Sequence, residues 1–297
     1  MDFLKKLFTR EKQSPVAAPE EIKEEKEEIV APLPVEPHAL SPGLHIGKKS
    51  DVGQQREQNE DTIYIFSACI ESNNGDDPFG LFIVADGMGG YKKGEIASDM
   101  AARTAANYIL ANLYLPDLTK DESSASQLPV NEVLRAAVIA ANNAVLEQVP
   151  EAGTTLTIAV VIGHYAYLSH VGDSRAYLYH DGRLQQITQD HSLVARLVEL
   201  GQATAEEALT HPQRNVLYRA IGQSGTLEVE TYLQPLPVNA QLLMCSDGLW
   251  GMVPDDEITR ILASVATPED GVEKLIDAAN ANGGEDNITA ILVSIGE

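Results

Sequence analysis

Cysteine, tryptophan and positive charge are scarce in this chain, and each shortage excludes something. Two cysteines and one tryptophan occur among 297 residues, and aromatic residues make up 5%. Cys69 and Cys245 lie far apart in apolar, strand-like runs, so buried reduced thiols are expected rather than a disulfide framework or a redox pair. Lys and Arg number 21 against 44 Asp and Glu, a net charge of -23. Nucleic acid is thereby excluded as the main partner, because its phosphates need a positive footprint. No apolar run approaches the roughly 18–20 residues that span a bilayer. The first residues lack the long apolar segment of a secretory leader, and a cytoplasmic location is expected.

Residues 1–43 differ from the rest. They are rich in Glu, Lys and Pro, a composition unable to bury enough apolar area to offset chain entropy, so a disordered acidic arm is expected. At its start Phe3, Leu4, Leu7 and Phe8 share one helical face beside Lys5, Lys6 and Arg10, a pattern suited to weak contact with a membrane surface or a partner. Residues 44–297 read as one globular domain.

Within that domain, Asp61–Ile70 and Leu81–Ala85 read as strands joined by a turn over residues 73–78. Helical spacing follows over residues 94–113, then a polar loop, then a second long helix over Pro129–Gln148 that Asn131 is placed to cap. Strands return at Thr154–Ile162, Tyr165–Val171, Ala176–His180 and Leu184–Thr188, with Asp181-Gly182 as a tight hairpin turn. Residues 190–222 are mixed and read as an insertion on the sheet surface. Strands near Glu228–Leu233 and Gln241–Cys245, helices near Asp255–Ser264 and Pro268–Ala281, and a last strand Ile288–Ile295 complete the order. Short turns between adjacent strands indicate antiparallel sheets whose faces the long helices cover. The predicted class is α+β: a four-layer α-β-β-α sandwich, two mainly antiparallel sheets with helix pairs outside.

Acidic residues recur where strands meet turns. Leu81–Ala85 runs into Asp86-Gly87-Met88-Gly89-Gly90, and Met244-Cys245-Ser246 into Asp247-Gly248. Asn59-Glu60-Asp61 and Glu285-Asp286-Asn287 each precede a strand, and Gly172-Asp173-Ser174 lies between two. Any one of these alone reads as an ordinary solvated turn. Five together point to cations, because carboxylates gathered without compensation are costly. Oxygen-only ligation suits Mg²⁺, Mn²⁺ or Ca²⁺ rather than zinc. A pair of such ions favours displacement at phosphorus by an activated water, and explains how an acidic protein accepts an anionic substrate. Arg56, five residues before Asp61, is placed to hold a phosphate; the plainer reading is a solvated surface arginine.

The motifs Arg56–Asp61, Asp86–Gly90, Gly153–Thr155, Val171–Arg175, Thr188–Ser192, Asn215–Gly222, Cys245–Trp250 and Asp286–Thr289 occur in one order across residues 44–297. On these residues the chain resembles the metal-dependent serine/threonine protein phosphatases of type 2C (the PPM family), in their compact bacterial form. The resemblance implies metal-dependent hydrolysis of phosphoserine and phosphothreonine on proteins, by in-line attack of a bimetal-activated water and without a phosphoenzyme. It implies two Mn²⁺ or Mg²⁺ ions per site, with a third, weaker one. Asp86 would bridge the two ions, Gly87 would offer its carbonyl to one, and Asp247 and Asp286 would complete the other. Asp173 with Asp247 matches the third site, Arg56 the phosphate-binding arginine. Glu60 and Asp61 would act through waters, and Asn287 would buttress Asp286. Residues 190–222 would be the flap beside the site, influencing substrate choice.

The implied partners are phosphorylated proteins met by a monomer. Some animal members have a histidine where this chain has Met88, so the general acid is open; His191 is the tempting substitute, but a structural role fits it better. No Cys-x5-Arg loop is present, which removes the cysteine-dependent phosphatase route. A catalytically dead binding module and a phosphatase of small phosphate esters stand as alternatives.

Overall fold

A strand buried on both faces reads as an unbroken apolar run, and β3 (Gly75–Met88) shows the consequence. Leu81, Ile83 and Ala85 point to one core, while Phe82 and Val84 point to another. Each large side chain among them contributes roughly 1.5–3 kcal/mol by leaving water. The computed structural model describes residues 43–72, 75–89, 93–119, 128–204, 207–208 and 211–295; the expected arm, apart from Gly43, and its apolar start lie outside the described residues.

Two sheets result, and every pairing in them is antiparallel. One runs β1 (Leu44–Asp51), β11 (Ile288–Ile295), β10 (Gln241–Cys245), β7 (Arg175–His180) and β8 (Arg183–Gln186). The other runs β2 (Asp61–Ser72), β3, β5 (Leu156–Ile162), β6 (Tyr165–Val171) and β9 (Glu230–Pro235), with β4 (Gly153–Thr154) paired to the end of β3. Residues 75–78, expected in a turn, belong to β3, because β2 and β3 stay in register as far as Ser72 opposite Gly75. The β7–β8 turn is as predicted: Asp181 and Gly182 both take positive φ, 49° and 73°.

Three stacked cores match four layers. Helices α1 (Lys93–Ile109) and α3 (Val130–Gln148) cover the outer face of the β3 sheet through Ala97, Ala101, Ala105, Leu134, Ala137 and Ala141. Phe82, Val84 and Leu168 meet Leu242, Met244 and Ile291 between the sheets. Helices α6 (Asp255–Ala263) and α7 (Pro268–Ala281) cover the other sheet through Ile258, Leu262, Leu275 and Ile276. Thr267 caps α7, its side chain accepting from Asp270 N, with Pro268 in the first turn. The predicted α+β sandwich is the fold observed.

Some local expectations fail. α1 continues through a π-helical turn (Leu110–Tyr114) into α2 (Leu115–Thr119), so Leu118 and Thr119, expected in the polar loop, are helical. Tyr114 closes a cluster of rings with Phe66 and Phe79, at centroid distances of 4.9 and 4.8 Å. Asn131 does not cap α3: it lies inside the helix, and the cap position is Pro129. Cys245 is buried as expected, but Cys69 is exposed, because β2 is an edge strand. In the insertion, α4 (Leu193–Glu199) is capped by Ser192, the bridge Ser192–Leu217 closes the segment on itself, and the bridge Thr154–Ile221 ties its end to β4.

Candidate metal centre

The antiparallel register brings one end of both sheets together, and the acidic strand ends meet there. Asp61 opens β2 directly opposite Asp86 near the end of β3. Asp247 is the first residue of a single helical turn, α5 (Asp247–Trp250), following β10. Asp286 stands two residues before β11, and Asp173 in the β6–β7 turn. Asp61 and Asp86 therefore belong to one sheet, Asp247 and Asp286 to the other.

Hydroxyl and amide groups hold these carboxylates in place. Ser246 Oγ donates to Asp61 Oδ2 at 2.8 Å, across the gap between the sheets, and accepts from Thr289 N at 3.0 Å. Asp86 N donates to Thr155 Oγ1 at 2.9 Å, and the Asp86 carbonyl accepts from Thr155 N and Thr154 Oγ1. Asn287 Nδ2 donates to the carbonyls of Val52 and Gln58, and its Oδ1 accepts from Glu60 N at 2.8 Å. That pins the Arg56–Glu60 loop beside Asp286, whose Oδ1 accepts from Asn287 N. Ser246, Thr154 and Thr155 had no assigned role in the sequence; their position beside the acidic motifs was the available signal.

Gly87 is required by packing. A Cβ there would fall 2.2 Å from Gly94 O and 2.6 Å from Glu60 O, both backbone atoms. The turn after Asp86 thus fits closely between the Glu60 loop and the start of α1.

The electrostatics show a shortage of positive charge. Burial, reinforced by the charges of Asp247 and Asp286, pushes Asp61 up to about 7, although the hydroxyls of Thr289 and Ser246 oppose the rise. Burial and the Asp286 charge push Asp247 up to about 6. Asp86 lies well above the carboxylate range, through burial and then the charges of Asp61, Asp247, Asp173 and Asp286. Asp173 is raised likewise, by burial, Asp247 and Asp190. The cation inside the group is Arg56, whose Nη2 meets Asp286 Oδ2 at 2.6 Å with its side chain 49% exposed. Burial opposes its charge, but Asp286, Asp247 and Asp86 outweigh burial and hold the proton on.

Two oxygens decide what the cluster suits. Asp61 Oδ1 and Asp247 Oδ1 are buried without a hydrogen-bond partner, a condition a cation relieves. The donors are all oxygen, so the residues fit a hard divalent ion. Among the described residues no group of three or more acidic, histidine or cysteine side chains is spaced to hold a metal ion by itself. An ion such as Mg²⁺, which keeps several waters and takes only one or two carboxylates, suits so open an arrangement.

His191 is wholly buried. Its Nδ1 accepts from Gly172 N at 3.0 Å, so Nε2 carries the hydrogen, directed at Glu230 Oε1 3.0 Å away. Burial lowers its pKa despite Glu230. It holds the Gly172 turn, with Glu230 and Arg219 against its other ring nitrogen. Met88 is partly exposed at the end of β3 and has no proton to give.

Comparison with known proteins agrees with this geometry. A model of the family described as Protein phosphatase 2C matches residues 58–290. The serine/threonine phosphatase stp of Listeria monocytogenes is 38% identical over 251 residues, covering 84% of this chain and 95% of that protein. The solved Mycobacterium tuberculosis serine/threonine phosphatase PstP/Ppp superposes with a TM-score of 0.70 at 33% identity, over 86% of this chain and 99% of that one. A solved PstP catalytic domain in complex with two manganese ions gives a TM-score of 0.69 at 32% identity, over 86% and 99%. Fold, ordered motifs and these matches agree, and the chain belongs to the protein phosphatase 2C family.

Proposed function

We propose that this chain hydrolyses phosphoserine and phosphothreonine on proteins, using Mn²⁺ or Mg²⁺ held by the carboxylates at the sheet ends. The observation that carries the reading is the meeting of Asp61, Asp86, Asp247 and Asp286 with two unpartnered buried oxygens among them. Asp86, Asp247 and Asp286 would hold the ions with the Gly87 carbonyl, and Asp173 with Asp247 a weaker third. Glu60 and Asp61 would fix surrounding waters by accepting their hydrogen bonds. When bound, the pair of ions would supply a water activated for in-line attack on phosphorus and neutralise the phosphoryl oxygens.

The residues of the chain do the rest. Arg56 is half exposed beside Asp286, so its free N–H groups face an incoming phosphoryl group and orient it by charge-assisted hydrogen bonds. Asn287 holds the Arg56 loop at that distance. Neither Met88 nor the buried His191 delivers a proton to the leaving oxygen, so the donor is a water. The flap, residues 190–222, would bear on which proteins are accepted. The named activity of the relatives, the open acidic site and its arginine favour phosphoproteins as substrates.

The test is Asp247→Asn, assayed on a phosphothreonine peptide with Mn²⁺. Turnover should fall by about three orders of magnitude, the loss typical of a residue that holds transition-state charge. Unchanged turnover would end the assignment.

A further inference from the structure

Trp250 is the only tryptophan in the chain, and it ties together the two carboxylates assigned to the weaker third ion. It is the last residue of α5, the single turn that begins with Asp247. Its indole Nε1 donates to the Asp173 carbonyl at 2.9 Å. One short rigid turn thus carries Asp247 at one end and grips the backbone of Asp173 at the other.

The indole is itself held in place. The Arg175 guanidinium lies 3.6 Å from its ring centroid. Arg175 is fixed by Asp190, which accepts from Nε at 3.0 and 3.2 Å and from Nη2 at 2.8 Å, and by Tyr177, whose hydroxyl accepts from Nη1 at 3.0 Å. Asp190 accepts further from Gln186 Nε2 at 3.1 Å. Asp190 is also the first residue of the flap segment. A fixed chain therefore runs from the flap root through Arg175 and Trp250 to the Asp173–Asp247 pair.

We infer that Trp250, braced by Arg175 and Asp190, is a positioning residue that sets the spacing of Asp173 and Asp247 and thereby the affinity of a third Mn²⁺ or Mg²⁺. This rests on the proposed metal site but adds a device that neither its ligands nor the family match assigns. The Trp250 indole N–H acts through the Asp173 backbone, and its ring occupies a place where a bound ion alters its emission.

The probe is Mn²⁺ alone, added to the whole chain after chelation. In the unaltered protein, tryptophan emission should change mainly in a weak binding phase, after the tighter ions seen by calorimetry. Asp173→Asn should abolish that phase of the emission while the tight phase persists. Trp250→Phe keeps a ring for Arg175 but removes the donor. It should weaken the third Mn²⁺ about five- to tenfold, the loss of one hydrogen bond, read by electron paramagnetic resonance of free Mn²⁺. The tight phase should change less than the weak one. If Trp250→Phe leaves the weak affinity unaltered, or Asp173→Asn leaves the emission change intact, the inference is overturned. Absence of a weak phase in the unaltered protein also overturns it while leaving the two-ion reading standing; absence of all Mn²⁺ binding overturns both.

Discussion

With metal chelated, Asp61 and Asp247 should together cost stability as pH rises from 5 to 8, against an opposing gain from the buried His170 and His191, whose lowered pKa values favour the folded chain as pH rises. The cause is the gathering of carboxylates that have no cation to share. Asp61 and Asp247 titrate at about 7 and about 6 in the folded chain, against an ordinary 3.8. A raised folded pKa means that the folded protein keeps a proton the unfolded chain has released. That contribution is complete below about pH 3.8 and is gone above about pH 7. Between pH 5 and 8 the linkage relation assigns the two carboxylates together a loss on the order of a few kcal/mol. For a domain of this size 1 kcal/mol moves the melting temperature about 2–4 °C, so the carboxylates alone would shift it by on the order of 10 °C. Asp86 and Asp173 act in the same direction. The assay is a series of thermal melts in chelator across that window, repeated with Mn²⁺. Ions at about 100 times their dissociation constant return about 2.7 kcal/mol, and more at the alkaline end, where their ligands are already ionised. Asp61→Asn should remove its share of the loss, so that the variant gains on the unaltered protein as pH rises. A difference between the two that stays constant from pH 5 to 8 in chelator would refute the electrostatic account.

Arg56→Ala should raise KM for a phosphopeptide more than it lowers kcat, by roughly tenfold or more, the worth of a charged hydrogen bond; steady-state kinetics at saturating Mn²⁺ checks it. Ser246→Ala leaves Asp61 Oδ2 without its donor and should cost about 1–3 kcal/mol in a denaturant melt, partly recovered by Mn²⁺. His191→Gln should lower stability by a similar amount through the loosened Gly172 turn. It should leave the pH–rate profile in place, since His191 is wholly buried; loss of one limb would show that it carries the proton.

The sheet-forming runs were legible because burial on both faces makes strands such as Leu81–Ala85 and Gln241–Cys245 plainly apolar. The helices announced themselves by their spacing, and α7 by Thr267-Pro268. β1 was not legible: it is an edge strand carrying Lys48 and Lys49, with only Leu44 and Ile46 packed on the inner core. The π-helical turn escaped because nothing in Leu110–Tyr114 breaks the helical pattern; the ring contacts of Tyr114 with Phe66 and Phe79 come from distant sequence. Asn131 has the residue type of a cap, but the helix starts one residue earlier. For the site, each acidic turn was visible singly. That Asp61 faces Asp86 depends on strand register, and that Ser246 reaches Asp61 depends on the packing of one sheet over another, neither of which is written locally. Trp250 reaching Asp173 is of the same kind.

The division of the carboxylates between two sheets has a mechanical meaning. Asp61 and Asp86 travel with one sheet, Asp247 and Asp286 with the other, and Ser246 to Asp61 is a direct stitch across the seam. An ion clasped by both pairs would act as a rivet through the open end of the sandwich. A small slide of either sheet, caused by a volume change at Phe82 or Met244 deep in the shared layer, would then be felt as a change in bite between the two pairs. Packing far from the chemistry would thereby become the gauge that sets how tightly such an ion is held.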